Sequence, residues 1–230
     1  MQVKLSKRLA AVAAMVLPGF VTADIGTDHG YLPAYLVMNG VSPSAIASDA
    51  KQLPLATAAN LISLLALEKK INLRLGDGLS VLQPGESENI VIAGMGASTM
   101  VKILEQSPQV LDQTRRLILQ PMKDSARIRI WLVKHGWKIN DEDLVYEDNI
   151  FYEIIAAEPG RSILSPEEAE LGPILLKKSH PLLKGLIKEK VRILELIYNS
   201  LGNSTKLEAA DQKMEIKEKI DSLERVMACL

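Results

Sequence analysis

The chain has 230 residues, enough for one substantial core and an appendage. With 47% hydrophobic and 24% charged residues it is excluded from wholesale disorder, and no apolar run reaches the ~18–20 residues that span a bilayer. A formal net charge of −1 does not announce a nucleic-acid binder, and a lone cysteine (Cys229) with three histidines excludes an internal disulfide and a His/Cys metal cage, which fits a reducing, cytoplasmic setting.

In chain order, basic residues followed by AAVAAMVL (10–17) resemble a signal peptide, but Leu5, Leu9, Val12 and Val16 repeat at helical spacing. An amphipathic first helix packed on the domain is the better reading. VTADIG (21–26) reads as a buried strand, and a helix from Tyr31 to Asn39 is stopped by Gly40. A strand at 44–49, a helix at about 53–70, and strands at 71–78, 89–96 and 115–122 follow, with helices through Glu105 and over Ser125–His135. GWKINDEDLVYED and NIFYEIIAAEP then read as two strands joined around Asp148 and Asn149. Such alternation predicts an α/β fold with a mainly parallel sheet, helices on both faces and an antiparallel edge.

Beyond Gly160 the pattern changes. Ser165-Pro166-Glu167-Glu168 is a helix-start signal. Ile187, Val191, Leu194, Tyr198 and Leu201 form one apolar stripe, and Ile216, Ile220, Leu223, Met227 and Leu230 form another. The polar break at Gly202-Asn203-Ser204 predicts an antiparallel helical hairpin. Residues 1–160 therefore read as one domain and 161–230 as a helical arm. Two stretches, Arg115–Lys138 and Lys177–Arg192, carry a local basic excess that could face phosphates or simply solvent.

Ligands of such sheets sit beyond the carboxyl ends of the strands. ADIGTDHGYLP (23–33) places Asp24, Gly26, Asp28, His29 and Gly30 there. It lacks the G-x-G-x-x-G spacing of a dinucleotide site, and its carboxylates repel phosphate. They suit a cationic ligand without phosphate, such as S-adenosylmethionine. Asp49, 25 residues after Asp24, stands where an acid accepts hydrogen bonds from a ribose diol, and Asp77, between Gly76 and Gly78, could accept one from an adenine amino group. Singly, each of these acids could equally cap a helix or shape a turn. Ala93-Gly94-Met95-Gly96 and Gln120-Pro121 complete the rim.

Together, LSKRL (5–9), ADIGTDHGYLP (23–33), GDGL (76–79), IAGMG (92–96), LILQP (117–121) and YEI (152–154) resemble the bacterial tRNA (adenine-22-N1)-methyltransferase family. The resemblance implies a Rossmann-like class I methyltransferase sheet with a C-terminal antiparallel helical hairpin. It implies S-adenosylmethionine as the methyl donor, N1 of a tRNA adenine as the acceptor, and a chain that is monomeric or weakly dimeric. Donor binding then falls to Asp24, Gly26, Asp28, Gly30, Asp49, Asp77 and Gly78. The base pocket falls to His29, Tyr31, Gly94, Met95, Gly96, Gln120 and Pro121, with Asp28 also the candidate catalytic residue. Two positions depart from the family pattern: Met122 in place of Asn, and Ala97 in place of a second glycine after GMG. The alternatives left open are another class I RNA methyltransferase, a nucleotide- or NAD-dependent oxidoreductase on a similar sheet, and a non-catalytic RNA-binding scaffold with a vestigial pocket.

Overall fold

Runs of Val, Ile, Leu and Ala gain most by leaving water, and seven of them pair into one sheet. The computed structural model describes residues 3–201 and 207–230. Five parallel strands come first: β1 (Thr22–Ile25), β2 (Ala45–Asp49), β3 (Ile71–Leu75), β4 (Asn89–Met95) and β5 (Arg116–Pro121). A hairpin of β6 (Trp137–Glu147) and β7 (Ile150–Pro159) follows. It turns at Asp148 and Asn149, whose φ values of +50° and +62° are the left-handed pair that the tight hairpin turn demands. Across the sheet the order is β3-β2-β1-β4-β5-β7-β6. β7 runs antiparallel to both β5 and β6, so the closing pair forms the expected antiparallel edge.

Helices α1 (Lys7–Ala14), α2 (Tyr31–Met38) and α3 (Gln52–Leu64) cover one face. There Val12 and Leu36 meet Val91, Ile118 and Ile154, while Ala34 and Ile62 close over Ala45, Ala47 and Ile71. Side chains alternate along a strand, so Ile90, Ile92, Leu117 and Leu119 serve the opposite face, under α4 (Ala97–Glu105) and α6 (Ser125–Lys134). A short α5 (Pro108–Leu111) and a 3₁₀ turn at Gly78–Val81 were not foreseen from the sequence. The helix expected to reach Lys70 ends at Leu64. Leu65 caps it and Ala66 adopts φ +54°, a left-handed stop that usually advertises itself with glycine.

The chain divides into two units, the first ending at Ile163 and the second running Leu164–Leu230. The second holds α7 (Pro166–Leu171), α8 (Pro173–Lys177), α9 (Leu183–Ser200) and α10 (Leu207–Cys229). Ser165 and Glu168 form a reciprocal capping box at the start of α7. α9 and α10 run antiparallel: Lys190 and Lys219 both reach Glu170, while Lys213 Nζ lies 5.1 Å from the Tyr198 ring centre. The break read at Gly202-Asn203-Ser204 lies outside the described residues. Among the described residues no helix is long and apolar enough to cross a membrane.

Candidate active site

The sheet order reverses between β1 and β4, and parallel sheets open a crevice at such a point, beyond the carboxyl ends of the strands. A cleft of about 500 Å³ lies there. Its walls come from the end of β1 and the following loop (Asp24, Gly26, Thr27, Asp28, His29), the start of α2 (Tyr31, Leu32), the end of β2 (Asp49), the end of β4 (Ala93, Gly94, Met95) and the start of α1 (Ser6, Arg8, Leu9).

The β1 loop is shaped by two glycines. Gly26 has φ +78°, and a Cβ there would run into the Met95 methyl group. Gly30 has φ +73° and would carry a Cβ 3.0 Å from that of Ala58, so its bareness lets α2 start close against α3. Between them Asp28 adopts φ +54°, its N–H 3.4 Å from Asp49 Oδ2 and its carboxylate 3.3 Å from His29 Nε2. The carboxylate is 64% exposed and the imidazole 50%, which leaves both open to a ligand. Tyr31 is 45% exposed, an aromatic face at the cleft edge rather than a buried packing group.

Asp24 is the electrostatic centre. It is 5% exposed, and burial pushes its carboxyl up from 3.8 to about 6. The nearby Thr27 hydroxyl, which makes no hydrogen bond of full geometry, offsets part of that rise, and the Asp49 charge adds to it. Asp49 Oδ1 also accepts from Lys51 N at 2.9 Å.

These features fit a cationic sulfonium donor. Asp24 and Asp49 form a negative wall without an ion-pair partner among the described residues, Thr27 Oγ1 is a buried polar atom without a hydrogen bond of full geometry, and the glycine-lined loop leaves backbone accessible. Among the described residues no group of three or more His, Cys, Asp or Glu side chains is placed to hold a metal ion.

Of the residues singled out in the sequence, Asp24, Gly26, Asp28, His29, Tyr31, Asp49, Gly94 and Met95 come together in the cleft wall. Others stand beside it. Asp77 is exposed after β3, where Gly76 N donates to Asp49 O at 3.0 Å, and Gly78 is buried against Ile103. Gly96 caps α4. Gln120 is fully buried: Oε1 accepts from Arg8 Nη1 at 2.6 Å and from Gly94 N at 3.1 Å, while Nε2 donates to the Pro121 carbonyl at 2.8 Å. The β4–β5 register shifts between Ala93 and Met95, so this side chain replaces a missing ladder partner and holds the Gly94 bulge in place. Met122 is exposed just past Pro121, its N–H bonded to the Met95 carbonyl at 2.8 Å, and Ala97 is buried at the start of α4. Ala93, read at the rim with Gly94 and Met95, also lines the cleft, whereas Ser6, Arg8, Leu9, Thr27 and Leu32 are wall residues that the sequence did not single out. LSKRL belongs to the stretches that carry the family resemblance, but nothing local says that its arginine meets Gln120, 112 positions along the chain.

The basic run at Arg115–Lys138 does not make one phosphate-facing surface. Arg129 is fully buried, 2.7 Å from both Glu142 and Glu153. Arg115, Arg116, Lys134 and Lys138 stand at the amino end of the parallel strands, where Arg116 pairs with Glu158. Only Lys123 and Arg127 lie toward the cleft end, with Arg127 Nη1 3.0 Å from Ser98 Oγ. In the second run Lys190 and Arg192 are paired with Glu170 and Glu189, whereas Lys177, Lys184 and Lys188 are exposed.

Residues 22–225 match the family model described as TrmK, tRNA (adenine(22)-N(1))-methyltransferase. The tRNA (adenine(22)-N(1))-methyltransferase of Bacillus subtilis is 34% identical over 98% of either chain. The fold superposes with a TM-score of 0.89 on a Streptococcus pneumoniae protein described as a putative tRNA (m1A22) methyltransferase, solved in complex with S-adenosyl-L-methionine; it is 33% identical, with 97% of this chain and all of that one covered. TrmK from M. capricolum in complex with S-adenosyl-homocysteine gives a TM-score of 0.84 at 27% identity, covering 97% of this chain and 98% of its own.

Proposed function

Because this chain belongs to the TrmK family of tRNA (adenine(22)-N(1))-methyltransferases, we propose that its cleft transfers a methyl group from S-adenosylmethionine to N1 of adenine 22 in tRNA. The observation that carries the reading is the acidic wall at the carboxyl ends of β1 and β2, built for a positively charged ligand.

The donor supplies an electrophilic methyl group on a sulfonium sulfur. Asp24 and Asp49 bind and orient it, with Gly26 and Gly30 keeping the loop backbone near, and Asp77 and Gly78 extending the site past β3. Adenine N1 already holds an in-plane lone pair, so no side chain has to remove a proton before attack, and the protein's task is alignment. Asp28 accepts a hydrogen bond from the adenine N6 amino group; its charge offsets the positive charge that gathers on the ring as N1 is alkylated. Tyr31 offers a stacking face, with His29 5.9 Å away between ring centres. The Gly94–Met95–Gly96 backbone lies against the base edge, and Gln120 with Pro121 fixes that backbone. N1 is occupied in a Watson–Crick pair, so the adenine must be unpaired or extruded before it reaches the cleft, at a cost of a few kcal/mol.

In this reading the chain works on tRNA in the cytoplasm, as a monomer or weak dimer. The first unit does the chemistry and the arm of residues 161–230 holds RNA, supported by the exposed Lys177, Lys184 and Lys188. Radiolabelled methyl transfer to unmodified tRNA, followed by mapping of the modified nucleotide, tests it. Label at N1 of adenine 22 is the expected result; label elsewhere, or none, overturns it.

A further inference from the structure

Arg8 is the one arginine or lysine among the described residues that line the cleft, and it does not sit with the acids. Asp24 and Asp49 end β1 and β2, whereas the guanidinium lies over β5 and β7. Its Nη1 donates to Gln120 Oε1 at 2.6 Å, and its Cζ is 5.4 Å from the centre of the Tyr152 ring. The cleft is thus bipolar, negative over one pair of strands and positive two strands away.

The structure holds Arg8 firmly in that place. Ser6 caps α1, and Glu147, at the end of β6, accepts from the backbone N–H groups of Lys7 and Arg8 at 2.8 and 3.3 Å. Glu147 is therefore engaged chiefly with backbone, its charge adding only a weaker Coulombic attraction to Arg8, and no carboxylate among the described residues forms an ion pair with the guanidinium. Its observed partners, a neutral amide and an aromatic face, do not need a full positive charge. A guanidinium has five N–H donors, and the bond to Gln120 uses one. A half-buried cation with no carboxylate at ion-pair distance, beside a cleft that must also admit a cationic donor, gains most when an anion joins it.

We propose that Arg8 is an oxyanion-binding residue of this cleft. The inference rests on the methyltransferase reading, because both ligands of that reading carry such a group: the α-carboxylate of the donor and a phosphate of the target nucleotide. Either one meets the same planar fork of donors.

The test uses the full chain with Arg8→Ala, Arg8→Gln and Arg8→Lys. Arg8→Gln keeps an amide donor available to Gln120 and removes only the charge, so it remains informative should Arg8→Ala fold poorly. Donor affinity is measured by calorimetry with S-adenosylmethionine and with its decarboxylated form, and tRNA affinity at several salt concentrations. If the anion is the donor's carboxylate, Arg8→Ala and Arg8→Gln weaken the intact donor by about ten- to a hundredfold and leave the decarboxylated one unchanged. If it is a phosphate, both donors bind as before and the slope of log K against log salt shrinks by about one. In both cases Arg8→Lys recovers part of the loss.

Two results overturn the proposal: variants that bind both donors and tRNA like the parent, and equal weakening of the two donors with an unchanged salt slope, which marks a purely structural role. Parent protein assayed alongside separates the two ideas. Failure of the parent to methylate tRNA sinks the enzymatic reading, whereas methylation with indifferent Arg8 variants sinks only this assignment.

Discussion

Asp24→Asn should make the protein more stable and a poorer binder of its donor. The native carboxyl is held at about 6 against 3.8 when solvated. Each tenfold in proton affinity is about 1.4 kcal/mol, so ionised Asp24 costs the fold about 3 kcal/mol at pH 7. The sign follows from linkage. A folded value above the unfolded one means that the native state holds the proton more tightly, so the penalty is absent below about pH 4, grows between pH 4 and 6, and is complete above that. Asparagine is nearly the same size and carries no charge, so thermal unfolding at pH 7 should show a gain approaching 3 kcal/mol that vanishes at pH 4. Donor binding runs the other way, because a sulfonium and an ammonium favour the ionised acid. Calorimetry should find the parent binding S-adenosylmethionine about tenfold more tightly at pH 7 than at pH 5, with the dependence absent in Asp24→Asn. An Asp24→Asn protein that is destabilised at pH 7, or a parent whose donor affinity is flat across that range, would refute the idea that burial holds Asp24 ready for a cation.

Further outcomes can be set beside this one. Asp28→Asn preserves a residue that tolerates φ +54° and removes only the charge, so melting should be unchanged while turnover falls by about two orders of magnitude; near-parental turnover ends the candidacy of Asp28. Asp49→Ala should weaken donor binding in the same calorimetric titration, and unchanged affinity removes Asp49 from the site. Arg129→Met strands two buried carboxylates and should cost about 3–5 kcal/mol, read as a fall in melting temperature of roughly 10 °C; a fall under about 2 °C contradicts the buried ion network. Truncation after Ile163 should lower tRNA affinity more than donor affinity, and equal loss of both points to a folding role for the second unit.

Much of this was legible because the signals were local. Strand-by-helix alternation and the glycine-bounded strand ends located β1 to β5 within a few residues, and Ser165-Pro166 announced α7. The acids at 24, 28 and 49 could be placed at one rim because Asp24 and Asp49 lie at strand ends and Asp28 in the loop that follows β1, and parallel strands present their carboxyl ends together. What stayed hidden depended on contacts between distant parts of the chain. Arg8 lies in a segment that reads as an ordinary amphipathic helix. The role of Gln120 arises from a bulge in the neighbouring strand. The basic excess at 115–138 looked like one surface because sequence proximity conceals that a strand and a helix carry its members to opposite ends of the sheet and into the core. Ala66 ended a helix in a conformation for which alanine gives no warning.

The tie between Glu147 and the first turn of α1 also imposes an order of assembly. The helix is synthesised before β6, and Glu147, which receives its amino-terminal amides, follows 140 positions later. The backbone of Arg8 gains its bond to Glu147 only when that strand is in place. The pocket wall is therefore finished by nearly the last piece of the sheet to be synthesised, and a nascent chain short of residue 147 presents the acidic half of the cleft without its basic counterpart.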